Sequence, residues 1–102
     1  MKRIKLYLDY HCYPMWIYDE NDMLVANDLV EELKCDLEVA DCLDEIQNIY
    51  DSLFEDNKIC FKYKGFENQS ERELLMNKIS FVSQIIDSKL GELYRIVNQI
   101  KI

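Results

Sequence analysis

From Ile4 to Tyr10 the chain alternates with a period of two. Ile4, Leu6, Leu8 and Tyr10 fall on one side and Lys5, Tyr7 and Asp9 on the other, the pattern of a half-buried strand. A second short run, Met15 to Tyr18, is β-branched and aromatic, and Asp19-Glu20-Asn21-Asp22 supplies a turn before Met23-Leu24-Val25. The two runs predict a hairpin, with Pro14 at the start of its first strand, where a missing N–H does least harm. Beyond it the period changes. Asn27 or Asp28 is placed to cap a short helix through Leu29, Val30 and Leu33. A longer helix is predicted from Leu37 to Phe54, because Val39, Cys42, Leu43, Ile46, Ile49, Tyr50 and Leu53 recur at spacings of three and four and so share one face.

Asp56-Asn57 ends that helix, and Lys58 to Lys64 alternates again, with Ile59, Phe61 and Tyr63 expected inward. Gly65 breaks the strand. Ser70 and Glu73 form a capping-box pattern that opens a helix of about twenty residues. Its stripe is Leu75, Ile79, Val82 and Ile86, flanked by Leu74, Phe81 and Ile85. Gly91, just after Lys89, stands where a left-handed C-terminal cap belongs. Tyr94, Ile96, Ile100 and Ile102 then alternate with Arg95, Gln99 and Lys101 as a last strand.

These elements predict an α+β fold. A mostly antiparallel sheet of about four to five strands carries two main helices and one short helix on one face. The 102 residues suit a single domain, residues 1–102, burying roughly two-thirds of its unfolded surface. With 49% apolar residues, two glycines and one proline, the composition is that of a folded chain. Lys5 and Asp9 interrupt the apolar run near the start, so no secretory signal develops, and no stretch of 18 apolar residues could span a membrane. The cytosol is the expected compartment. Cys12, Cys35, Cys42 and Cys60 accordingly read as reduced, buried thiols rather than as two disulfides.

Charge adds a functional clue. Between Asp19 and Asp56 there are 14 acidic residues against one base, Lys34, whereas both flanking segments are net positive and the whole chain carries −8. On the helix predicted from Leu37, Glu38, Asp41, Asp44, Glu45, Asp51 and the nearby Glu55 gather opposite the apolar face. A solvated acidic face can simply confer solubility. Like charges at helical spacing nevertheless repel by about 0.2–0.5 kcal/mol per pair. A single-sign surface also steers basic partners. The same charge excludes direct nucleic-acid binding, which needs clustered Lys and Arg, and would be repelled by anionic membranes.

The aromatic stretch Tyr10-His11-Cys12-Tyr13-Pro14-Met15-Trp16-Ile17-Tyr18 offers Tyr13, Trp16 and Tyr18 as recognition anchors, set against core packing for those that alternate inward. His11 and Cys12 would point to opposite faces of a strand, which excludes a shared substrate unless the segment is a loop. A single histidine and no CxxC spacing give poor zinc provision. The phosphate-loop, dinucleotide, nucleophile-elbow, zincin and calcium-loop motifs are all missing. No catalytic residue, metal or cofactor is expected.

A small acidic chain with a helix-and-sheet core and no active-site motif resembles the immunity proteins that bacteria pair with polymorphic or contact-dependent toxins. That resemblance implies a non-enzymatic inhibitor that binds a cognate toxin, often a basic nuclease, in the cytosol. The acidic helix would steer and exposed aromatics would anchor. Two other readings remain: a structural or regulatory module that self-associates as a homodimer through the aromatic strand, and a small hydrolase using paired carboxylates.

Overall fold

The computed structural model describes residues 2–56 and 61–100. The first strand, β1 (Lys2–Leu6), is central, and its alternation puts Ile4 and Leu6 at zero exposure. It stops at Leu6, earlier than its pattern predicts. Tyr7 N–H is diverted to the Pro14 carbonyl, and Cys12 N–H closes a turn on the Asp9 carbonyl. Within that turn His11 takes φ 57°, and Tyr10 leaves the strand altogether.

The predicted hairpin forms as β2 (Met15–Tyr18) and β3 (Leu24–Ala26). β2 lies antiparallel to β1, with Leu6 opposite Met15 and Ile4 opposite Ile17. The last strand, β6 (Tyr94–Asn98), lies parallel to β1 on its other side and sets Ile96 beside Ile4. The main sheet is therefore four-stranded and mixed, in the order β3-β2-β1-β6. A parallel pair needs a long crossover, and both helices lie within the one that joins β1 to β6.

Asp36 caps α1 (Leu37–Asp51) by accepting from Val39 N–H, and it is bound by Lys89 from the last turn of the second helix. The Lys89 ammonium, and then Val39 N–H, hold the Asp36 carboxyl below the usual range. Helix α2 (Gln69–Leu90) is capped by Asn68, which accepts from Glu71 N–H, and not by the Ser70–Glu73 box. The expected stripes are buried. Val39, Cys42, Leu43 and Ile46 of α1 join Leu75, Ile79, Val82, Ile86 and Leu90 of α2 and the sheet residues Ile4, Leu6 and Met15 in one cluster. Each such Leu or Ile is worth about 1.5–3 kcal/mol on burial.

Other local expectations change. The short helix shrinks to one 3-10 turn, Glu31–Leu33, with no side-chain cap, because Val30, which carries no acceptor, stands at the capping position while Asn27 bonds to Tyr13 and Met15. α1 ends at Asp51, and Phe54 opens β4 (Phe54–Asp56), which pairs with β5 (Phe61–Tyr63) as a separate two-stranded sheet. Phe61 and Tyr63 are therefore not inward: each is 56% exposed. Leu74 and Phe81 are exposed too. Gly91 is right-handed (φ −58°), and the left-handed glycine is Gly65 (φ 78°). Of the three described cysteines Cys42 is buried, Cys12 is half-buried and Cys35 is exposed, and all three are free thiols. Cys60, Lys58, Ile59, Lys101 and Ile102 lie outside the described residues.

Candidate functional site

The predicted acidic stripe divides according to what each carboxylate touches. Glu45 is paired with Lys78 of α2, whose ammonium is raised by that bond. Glu55 is on β4, not on the helix, and faces Lys62 across the small sheet at 3.5 Å. Asp51 is half-buried and serves the fold, accepting from His11 N–H at 2.9 Å and from Gln47 Nε2 at 2.7 Å. Glu38, Asp41 and Asp44 remain. They are exposed, and among the described residues none has an ion-pair partner.

Two hollows flank these three carboxylates. Glu38, Asp41 and Glu45 border one between α1 and α2, whose floor includes Cys42 and whose rim carries the half-exposed ring of Phe81. Asp44 and Asp51 border the other, of about 430 Å³, between α1 and the turn at His11, Cys12 and Tyr13. Gln47 ties that turn to the helix by donating to the Asp9 carbonyl at 2.9 Å as well as to Asp51. Its Oε1 is buried and meets no donor. Because the segment is a turn, His11 and Cys12 both line this hollow. Burial, then Asp9 and Asp51, push the Cys12 thiol up, which works against a thiolate nucleophile.

The three aromatic candidates do not share one surface. Tyr13 is half-buried against the core, and its backbone is gripped by Asn27, which accepts from Tyr13 N–H at 2.8 Å and donates to the carbonyls of Tyr13 at 2.6 Å and Met15 at 2.9 Å. Burial, then Asp44 and Asp28, push its hydroxyl above the ordinary tyrosine range. Trp16 and Tyr18 lie on the face of the sheet turned away from the helices. There the Arg3 guanidinium sits 4.6 Å from the Tyr18 ring centre and the Lys5 ammonium 4.7 Å from that of Tyr7. Trp16 Nε1 donates to the Tyr7 carbonyl. These two rings are thus already covered by cations of the chain itself.

Aromatic residues on the acidic side come from elsewhere. Phe54 is surrounded by Tyr10, Tyr50, Phe61 and Tyr63, with ring centres 4.9–5.4 Å apart, and Phe61 stacks parallel on it. Tyr10 in turn lies against His11, ring centres 4.0 Å apart and tilted by 45°, so the cluster adjoins the Asp44–Asp51 hollow. The period-two reading put Phe61 and Tyr63 on one face correctly. It could not show that β5 leaves the main sheet and turns that face outward.

Among the described residues no helix is long and apolar enough to cross a membrane, and no group of three or more His, Cys, Asp or Glu is placed to hold a metal ion. A family model described as Serratia CdiI immunity protein-like matches residues 2–99. No curated protein matches the chain.

Proposed function

Because this chain belongs to the Serratia CdiI immunity protein-like family, we propose that it is a one-domain, non-enzymatic inhibitor that neutralises a cognate toxin by binding it directly in the cytosol. The partner is a basic protein, and a nuclease suits the charge best, since an enzyme that grips phosphates carries clustered Lys and Arg. The observation that carries this reading is the set of uncompensated carboxylates on α1. Among the described residues Glu38, Asp41 and Asp44 stand exposed without a paired cation, whereas Asp28, Asp36, Glu45 and Glu55 are each paired. A field of one sign left open in this way accelerates encounter with a basic surface and repels acidic ones.

Self-association through the aromatic strand is less well supported. Apposing two copies of the open sheet face would bring Arg3 and Lys5 of each against those of the other. Light scattering that shows a dimer at micromolar concentration would favour it.

The test is the triple reversal Glu38→Lys, Asp41→Lys, Asp44→Lys, which spares the structural Asp51 and the paired Glu55. The partner is a catalytically inactive form of the cognate toxin domain. Association at low salt is expected to slow by roughly ten-fold or more, with a shallower salt dependence. An unchanged association rate and salt slope would overturn the proposal.

A further inference from the structure

Steering brings a partner close, but retention requires a desolvated anchor, and aromatic residues dominate such anchors. Three of the exposed apolar regions compete for that role. Met23, Leu24 and Val25 lie on the far hairpin, and Leu74 and Phe81 stand singly along α2. The third is the ring cluster around Phe54. There Phe61 and Tyr63 keep 56% of their surfaces open although each packs against Phe54. Rings held by other rings lose little freedom when a partner covers them.

The surroundings give the cluster a chemical preference. Burial first, and then Asp9 and, more weakly, Asp51, raise the hydroxyl of Tyr50, whose ring abuts Phe54 at 5.2 Å, so the two carboxylates stand close to the cluster. Ring faces are themselves negative and attract a guanidinium more than a methylene chain. This chain uses that attraction on its opposite side, where Arg3 and Lys5 cover Tyr18 and Tyr7. Over Phe54, Phe61 and Tyr63 no described cation of the chain is placed.

We infer that Phe54, Phe61 and Tyr63 form the anchoring site of the toxin interface and receive an arginine side chain from the basic partner. The adjoining Asp44–Asp51 hollow continues the same surface. The inference rests on the proposed binding function. It assigns the retention of the complex to the small β4-β5 sheet and its encounter to α1, so the two roles separate kinetically.

The experiment compares Phe61→Ala with Tyr63→Ala, singly and together, and with Met23→Ala as an equally exposed apolar truncation elsewhere. The probe is again the inactive cognate toxin domain. The double variant is expected to dissociate about 30-fold faster or more, with association rate and salt slope unchanged, and Met23→Ala to behave as wild type. As a second arm, N-acetyl-arginine amide titrated into the unaltered protein should shift the ring signals of Phe61 and Tyr63 in NMR spectra, and N-acetyl-norleucine amide should not. That arm, with Phe61→Leu, stands even if the alanine variants unfold. A complex that keeps its charge dependence but dissociates from the ring variants at the wild-type rate overturns this inference alone. Equal shifts from both amides overturn the arginine assignment. No complex with the unaltered protein overturns the binding function as well.

Discussion

Replacing Asn27 by alanine would remove a side chain that fastens the start of β2 to the end of β3. Its amide makes three hydrogen bonds, at 2.6, 2.8 and 2.9 Å, to the backbone of Tyr13 and Met15. Each net bond contributes about 1 kcal/mol, and the half-buried setting lets water recover part of that, so Asn27→Ala should cost about 2 kcal/mol. For a domain of this size the melting temperature would fall by roughly 8–16 °C. Asn27→Asp separates the specific geometry from loss of contact. It keeps the acceptor for Tyr13 N–H but turns a carboxylate oxygen toward two carbonyls. That carboxylate's pKa would be raised in the folded state, so the variant should be weaker than Asn27→Ala at pH 7 and recover as the pH falls toward 4.5. Urea denaturation of the three proteins at both pH values measures this. An Asn27→Ala unfolding free energy within about 0.5 kcal/mol of wild type would refute the reasoning. So would an Asp variant that does not respond to pH. The consequence extends to the candidate site, because Asn27 holds the Tyr13 end of the turn that carries Tyr10 and His11.

Two further expectations follow from local geometry. Gly65 takes φ 78° with the nearest side-chain atom 3.9 Å from where a Cβ would stand, so Gly65→Ala meets backbone strain rather than a clash and should cost about 1 kcal/mol in chemical denaturation; a neutral or stabilised variant would contradict the left-handed turn at the exit of β5. The Tyr94 hydroxyl is pushed up to about 12 by burial and by its bond to Glu32, and that of Tyr13 is also raised, so both keep their protons longer in the folded chain than in the unfolded one. Their stabilisation is complete below about pH 10, where an unfolded tyrosine titrates, and is lost as the pH climbs toward 12. Melting temperatures should therefore decline above pH 10, less steeply in Tyr94→Phe. A wild-type curve level to pH 12 would remove this account.

Much of the fold was legible because it is local. The stripes Val39-Cys42-Leu43-Ile46 and Leu75-Ile79-Val82-Ile86 follow from helical spacing alone, and both are buried in the common core. The hairpin of Met15–Tyr18 with Leu24–Ala26 follows from its turn residues. Caps were legible only as neighbourhoods. Asn68 and Ser70 are both competent acceptors, and which one binds a backbone N–H depends on where the preceding chain enters the helix.

The chain's own pattern thus determined which residues share a face and that the acidic surplus collects on α1. Only the tertiary structure decided which faces meet. It set β6 parallel to β1 and detached β4-β5 from the main sheet, so that Phe61 and Tyr63, inward by pattern, point out and pack against Tyr10 and Phe54. It put Trp16 and Tyr18 beneath Arg3 and Lys5 on the opposite side. It also assigned cations to Glu45 and Glu55 while leaving Glu38, Asp41 and Asp44 without one among the described residues. The physical reason is the same throughout: periodicity fixes relative direction within an element, whereas pairing across elements is settled by register, and neighbours distant in sequence supply the charges and rings that complete a surface.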